Sequence, residues 1–229
     1  MDLLSDIAEL IAPTQCGSCD ALGELMCKDC LNVLHEYASQ WCCPQCAAPY
    51  GELICTECCE QNFKFTGAVA LGVFEPPLSR VVITYKDRFE ERLGHYLGTL
   101  LGLRCALAYG SSWPNIVTWV PPSEKGLAKR GFDHAMLLAQ GVANILGCDL
   151  LETCRHLKNF DMRVLSRTER QEASKESFSL RSSGVDVAGK KILLVDDVLT
   201  TGSTLSAISE VLLKAGAEEV RVAVVARAW

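Results

Sequence analysis

A chain of 229 residues with 49% hydrophobic content is long enough to bury one full core, or a core and a small accessory module, so disorder is not the default. Its formal net charge of −6 excludes a general electrostatic attraction to nucleic acid or to anionic membranes, and any such partner must meet a local patch. Thirteen cysteines, ten of them before residue 60, point to metal ligation rather than disulfides in a reducing compartment.

The acidic start MDLLSDIAEL lacks the basic region and apolar run of a secretion signal, and no apolar stretch reaches spanning length without a charge. The sequence therefore reads as cytoplasmic, with no membrane insertion. Leu3, Leu4, Ile7, Leu10 and Ile11 fall at helical spacing and predict a short helix packed on the body. A membrane-surface helix would carry Lys or Arg there. Residues 1–62 hold ten acids against the single cation Lys28. Removing these from the chain totals of 22 basic and 28 acidic residues leaves 21 and 18, a net +3 for residues 63–229. We therefore divide the chain into a Cys-rich module, 1–62, and a larger domain, 63–229.

In the first part the cysteines fall as Cys16-x-x-Cys19, Cys27-x-x-Cys30, Cys43-x-x-Cys46 and Cys55-x-x-Cys58. The tight turn of each C-x-x-C aims two thiolates at one ion, and two such knuckles complete a tetrahedral site, so four supply two zinc ions. Buried or redox cysteines and iron–sulfur ligation are the alternatives. Closed four-cysteine sites leave no position for water, so these ions are expected to be structural, holding up a segment too poor in apolar residues to fold alone. Pairing is either sequential, giving two small zinc ribbons, or alternate, giving a cross-braced module; we favour the first. Cys42 and Cys59 are left over, and either could replace its neighbour if the register slips by one.

The larger part alternates periodicities. Residues 66–74, 115–120, 191–195 and 220–226 read as strands, and 93–109, 132–146 and 204–215 as helices stopped by Gly110, Gly147 and Gly216. This alternation predicts an α/β fold with a mostly parallel sheet covered on both faces and ligands at the carboxyl ends of the strands. His134, early in a helix, reads as a surface or capping residue and is left out of the chemistry. From 159 to 177 the chain has little apolar periodicity but carries Arg163, Arg167, Arg170 and Lys175, which fits a mobile cationic flap for an anionic group, or a solvated charged loop.

The strand 191–195 is followed by Asp196 and Asp197, with which the chain is expected to leave the sheet, and then by a hydroxyl-rich turn entering a helix. Backbone N–H groups at that helix start, with the hydroxyls of Thr200, Thr201, Ser203 and Thr204, form a cradle for a phosphate dianion, and Gly202 lets the backbone close in. The adjacent carboxylates would repel a second phosphate but would accept hydrogen bonds from vicinal hydroxyls. The ligand therefore reads as a sugar phosphate, its ribose diol on the acids and its 5′-phosphate on the turn. I-L-L-V-D-D also imitates the first strand of a response-regulator receiver, but too little chain follows it. G-V-D-V-A-G-K-K (184–191) imitates a P-loop, yet it lacks the final Ser or Thr and precedes a strand instead of following one.

V-D-D-V-L-T-T-G-S-T (195–204) resembles the 5-phosphoribosyl 1-diphosphate (PRPP) signature of type I phosphoribosyltransferases. With the knuckles, Val120-Pro121, Lys129-Arg130-Gly131-Phe132, Leu165-Ser166-Arg167-Thr168-Glu169-Arg170 and Gly216-Ala217-x-x-Val220, the chain over nearly its whole length resembles the ComF family of competence-associated, phosphoribosyltransferase-like proteins. It departs at Asp133-His134, where relatives typically carry Asn-Gln, and in a less basic turn at 121–125. The resemblance implies a parallel-sheet type I phosphoribosyltransferase-like domain after a double zinc ribbon. It implies that Asp196 and Asp197 hold the ribose hydroxyls, that Arg167 joins them in the catalytic set, and that Thr200, Thr201, Gly202, Ser203 and Thr204 hold the 5′-phosphate. Pro122, Ser123 and Lys125 would contact pyrophosphate, with Arg163 and Arg170 reaching it from the flap, and Mg²⁺ would enter with PRPP.

Two functions follow from the resemblance. One is phosphoribosyl transfer to a nucleobase or amine with release of pyrophosphate, linked to natural transformation. The other is a non-catalytic PRPP sensor or competence factor handling single-stranded DNA through residues 125–130 and 155–175, with competence-machinery proteins as partners. Lys125, Lys129 and Arg130 could carry the strand's phosphates, whereas the acidic Cys-rich part is a poor candidate for that contact.

Overall fold

The computed structural model describes residues 13–38, 42–49, 51–88, 90–157, 177–181 and 185–228. The expected strands meet in one parallel sheet formed by β1 (Ala68–Val73), β2 (Ile116–Trp119), β3 (Asp149–Leu150), β6 (Lys191–Leu199) and β7 (Glu219–Arg227), in the spatial order β1-β7-β6-β2-β3. Between β3 and β6, β4 (Cys154–His156) and β5 (Phe178–Leu180) pair with each other as an antiparallel ribbon. Residues 192–195 and 222–226 are wholly inaccessible, as central strands are when both faces of a parallel sheet are covered.

Strand periodicity sorts these side chains into two cores. Val117, Leu193, Val195, Ala223 and Val225 face one core, which includes residues of α3 (Leu78–Asp87), α4 (Glu91–Tyr109) and α6 (His134–Leu146). Ile116, Ile192, Leu194, Val222 and Val224 face the other, filled by Leu205, Ile208 and Leu212 of α7 (Ser203–Lys214) and by Phe178 of the ribbon. Helix α3 had no counterpart in the sequence reading. Its signal was present: Leu78, Val81, Val82 and Tyr85 recur at helical spacing and are all buried. Three further helices, α1 (Lys28–Ala38), α2 (Thr56–Glu60) and α5 (Glu124–Arg130), were also not anticipated.

The strand expected to end at 195 instead runs to Leu199, because β7 is long enough to pair with it to the end through Asp196↔Val224, Val198↔Ala226 and Leu199↔Arg227. Asp196 and Asp197 therefore lie within the sheet's margin, not on a loop beyond it. Gly110 and Gly147 close α4 and α6 as expected, whereas Ala215 closes α7 and Gly216 follows at φ +98°. The expected N-terminal helix falls outside the described residues.

The Cys-rich residues pack into the same two cores. Cys16, Met26, Cys30 and Leu34 join the first, and Tyr37, Cys43, Cys46 and Cys58 the second. The Ala68 N–H of edge strand β1 donates to the Pro44 carbonyl at 3.1 Å, so a cysteine loop covers an edge that would otherwise invite pairing with another chain.

Helices α4 and α6 approach backbone to backbone. A Cβ at Gly98 would stand 2.5 Å from the Leu138 carbonyl oxygen, and one at Gly141 would stand 2.7 Å from the Gly98 carbonyl carbon. Gly→Ala in a helix is ordinarily stabilising, by about 1 kcal/mol. At Gly98 the sign reverses: Gly98→Ala is expected to cost roughly 1–3 kcal/mol as the helices part, read as a lower urea midpoint at unchanged slope.

Candidate functional site

The four knuckles pair sequentially. Cys16, Cys19, Cys27 and Cys30 form one cluster and Cys43, Cys46, Cys55 and Cys58 the other, each with its sulfurs within 4.8 Å of one another. Sulfurs of a tetrahedral site with zinc–sulfur bonds of about 2.3 Å lie about 3.8 Å apart. The Sγ separations are 3.5 Å for Cys19–Cys27, 3.7 Å for Cys46–Cys55 and 3.9 Å for Cys43–Cys58, so the clusters could hold zinc.

The two clusters repeat one design. The Cys27 N–H points at Cys16 Sγ (3.4 Å) and the Cys55 N–H at Cys43 Sγ (3.3 Å), a helix begins within the second knuckle of each, at Lys28 and Thr56, and isolated bridges Gln15↔Leu22 and Cys42↔Pro49 close the first. Burial raises the Cys16 thiol, yet the backbone N–H groups of Cys19, Cys27 and Ser18 outweigh it and bring it down to about 6; Cys43 is lowered in the same way. Both are thus disposed to be thiolates, the form that binds metal. Cys42 occupies the place of Gln15 in the repeat and Cys59 lies exposed, so neither replaces its neighbour as a ligand.

At the carboxyl edge of the sheet β2 and β6 are neighbours, with Trp119 opposite Val195 and the Val120 N–H donating to the Val195 carbonyl at 3.0 Å. The loop 120–125 and the end of β6, with the turn 200–204 that follows it, therefore lie side by side, at the carboxyl margin where α/β folds bind ligands.

The two acids at this edge are not equivalent. Asp197 is 5% exposed, and its Oδ2 lies 2.5 Å from Lys86 Nζ of α3 and 2.7 Å from His134 Nε2 of α6. Burial opposes its charge, but His134 and Lys86 outweigh burial and hold the carboxyl below the usual range. Asp196 is half-buried, and its Oδ1 accepts from the Asp197 N–H at 2.9 Å. Burial and then the Asp197 charge push it well above the usual range. Oxygens of both acids and a ring nitrogen of His134 lie within 4.8 Å of one another. Asp197 is anchored, and Asp196 is the acid left open to a ligand.

His134 is thus a buried partner of Asp197, not the surface or capping residue expected; Asp133 does the capping, accepting from the Met136 N–H (3.1 Å) and from Trp119 Nε1 (2.8 Å). Tyr85 donates to the His134 carbonyl at 2.6 Å, so α3 fixes both the imidazole's backbone and, through Lys86, the carboxylate it faces.

Thr200, Thr201, Ser203 and Thr204 are exposed around the mouth of α7, whose N-cap Gly202 has φ +72° and supplies no side-chain cap. The N-cap itself claims no first-turn N–H; the Ser203 N–H points at Thr201 Oγ1 at 3.4 Å, and the mouth resembles those that hold anions. Thr201 Oγ1 and Ser203 Oγ lie 3.0 Å apart. The space a Cβ at Gly202 would need is filled by Phe63, at 2.5 Å, so the ring and the left-handed φ both require glycine.

Ser123 Oγ accepts from the Gly126 N–H at 3.1 Å and caps α5, placing Lys125 exposed in that helix's first turn after a half-buried Pro122. Arg163, Arg167, Arg170 and Lys175 lie outside the described residues; the flanks of their segment are joined where the Leu157 N–H donates to the Ser177 carbonyl at 2.8 Å. Of the proposed DNA strip, Lys125 and Lys129 are exposed, with Lys129 Nζ 3.7 Å from Asp87. No helix among the described residues is long and apolar enough to cross a membrane.

Residues 126–228 match the phosphoribosyl transferase domain. The chain is 31% identical over 204 residues to DNA utilization protein YhgH of Salmonella typhi, covering 86% of this chain and 88% of that protein. It is 30% identical over 210 residues to Competence protein F of Haemophilus influenzae, covering 89% and 90%. Over 100 residues it is 38% identical to an adenine phosphoribosyltransferase of Nocardia farcinica, covering 44% and 50%. An open acid beside an anchored one, a hydroxyl-lined helix mouth and two thiol clusters on the same sheet accompany these likenesses, and the chain belongs to the ComF family of phosphoribosyltransferase-like proteins.

Proposed function

We propose that the protein binds PRPP with Mg²⁺ at the carboxyl edge of β6 and transfers its phosphoribosyl group to a nucleobase or amine, in the service of DNA uptake. The observation that carries this reading is the contiguity of Asp196, Asp197 and the Thr200–Thr204 turn beside the loop after β2. Asp196 would accept from the ribose hydroxyls while Asp197, held by Lys86 and His134, fixes the geometry of the pair. The α7 mouth would take the 5′-phosphate through its N–H groups and hydroxyls. Pro122, Ser123 and Lys125 would meet the pyrophosphate from the neighbouring loop, and Arg163, Arg167 and Arg170 from the segment 159–177.

Displacement at C1 with inversion passes through oxocarbenium-like charge, so rate acceleration would come from positioning and preorganised electrostatics, with no covalent intermediate on the protein. Mg²⁺ bound with PRPP would neutralise the leaving pyrophosphate, and Asp196 offers it a hard oxygen ligand. We assign residues 63–229 to this domain and residues 1–62 to a module held by two structural zinc ions.

The names of the relatives, DNA utilization protein and Competence protein, favour a second reading in which the PRPP pocket senses and the exposed Lys125 and Lys129 contact single-stranded DNA. Calorimetry with PRPP and Mg²⁺, followed by a pyrophosphate-release screen with pooled bases and amines, separates the two. Binding with turnover supports transfer, and binding without turnover supports the sensor. No association at all removes both. If DNA binds directly, neutralising Lys125 and Lys129 is expected to reduce the slope of log K against log salt by about 1–2, which neutralising Lys28 would not do.

A further inference from the structure

Arg227, the last residue of β7, is 3% exposed and lies under the turn assigned to the 5′-phosphate. Its Nη1 donates to the Thr200 carbonyl at 2.8 Å and to the Leu199 carbonyl at 3.2 Å; the next residue's N–H, of Ala228, also donates to Leu199, at 2.9 Å. The strand end thus grips the two carbonyls from which the turn departs. A buried guanidinium is costly unless its charge is met. Arg227 is met only in part. Its Nε has no hydrogen-bond partner among the described residues, and its carboxylate partner there is Glu57, 3.4 Å away, with a side chain 56% exposed.

Glu57 belongs to α2, between the ligand-forming Cys55 and Cys58, and the same part of the chain reaches the turn a second time through Phe63, whose ring abuts Gly202. The Lys64 N–H then donates to Ser206 Oγ of α7 at 3.0 Å. The second thiol cluster and the phosphate turn therefore share two bearings, one ionic and one steric.

Resting on the reading of this turn as a phosphate site, we infer that Arg227 is its positioning residue and the buried cation whose charge the phosphate completes, while Glu57 is a competing counter-charge that restrains anion affinity. Arg227 does not touch the phosphate in this scheme. It fixes the carbonyls at the base of the turn, so that the N–H groups beyond them face outward, and it makes the potential at the helix mouth more positive. A merely structural Arg227–Glu57 pair would predict the opposite effect at Glu57, since breaking it would loosen the turn and weaken binding.

The test is calorimetry of ribose 5-phosphate against the full-length, metal-loaded protein at low and high salt, for wild type, Arg227→Lys, Arg227→Met and Glu57→Gln, with metal content and circular dichroism recorded for each. Arg227→Met is expected to weaken binding about tenfold or more, the scale of losing hydrogen bonds from a charged donor, and Arg227→Lys to restore part of it. Glu57→Gln is expected to tighten binding about two- to fivefold, the scale of one partly exposed charge pair, with a smaller gain at high salt. Unchanged or weaker binding in Glu57→Gln overturns the inference, and this variant decides alone if Arg227→Met fails to fold. Failure of wild type to bind either ribose 5-phosphate or PRPP removes the phosphate reading itself, and the inference with it; binding by wild type with no gain at Glu57 removes the inference only.

Discussion

Asp197→Asn is expected to lower the unfolding free energy by roughly 2–4 kcal/mol, the cost of breaking a buried ion pair from one side, while Asp196→Asn next to it leaves stability unchanged or raises it. The two carboxyls differ by one position in sequence, but strand alternation turns them to different surroundings. Asp197 meets Lys86 and His134, which would be left facing an uncharged amide; among the described residues Asp196 forms no ion pair, and it sits beside another negative charge. Urea unfolding of both variants at neutral pH measures the contrast, and equal losses would count against it.

The pH dependence carries the same asymmetry. Because the folded value of Asp197 is lowered, its contribution is complete above the ordinary carboxylate value near 4 and is lost as pH falls through the lowered value. Asp196, with a raised folded value, contributes in the other direction: its ionisation costs stability as pH rises through that value, and the Asn variant is free of this cost. A carboxyl whose surroundings disfavour its charge in this way is a common property of binding sites. Ligand binding should therefore fail in Asp196→Asn even though the fold is as stable as before.

Stripping metal from the chain is expected to unfold it, not merely to loosen its N-terminal part. A structural zinc site is worth about 10–16 kcal/mol, comparable with or larger than the whole stability of a typical domain, about 5–15 kcal/mol. Here the thiol clusters are built into the cores. Cys16 and Cys30 belong to the same core as Leu97, Val195 and Val225, and Cys43, Cys46 and Cys58 to that of Leu194, Leu199 and Val222. Loss of the second cluster would also free the edge of β1 that Pro44 covers and release Phe63 from the Gly202 turn.

Mass spectrometry should find two metal ions per chain, reduced to one by Cys30→Ala or Cys58→Ala and unchanged by Cys42→Ser or Cys59→Ser. A chelated chain that melts within a degree or two of the metal-loaded one would contradict the argument, as would loss of an ion in either of the last two variants.

Much of this protein could be read before its structure. The knuckle spacing is local chemistry, because a C-x-x-C turn brings two sulfurs together within four residues and depends on nothing distant. The hydroxyl-rich turn is equally local, lying between a strand and a helix that each announce themselves by periodicity. Helix α3 carries a legible pattern as well, in Leu78, Val81, Val82 and Tyr85, but the run is short and half polar, so its period stands out weakly.

The pairing of knuckles, the inequality of Asp196 and Asp197, the burial of His134 and the place of Arg227 beneath the turn could not be read in this way. Lys86 reaches Asp197 across 111 residues, and Glu57 reaches Arg227 across 170. No periodicity links such partners, since contacts between charges on separate elements are set by how β6 and β7 align and by which helices cover each face. The sequence alone thus determined the ligand-bearing groups and the elements that carry them, through short-range spacing and hydrophobic period. Only the tertiary structure decided which charges neutralise one another, because that depends on distances between elements the chain brings together after long excursions.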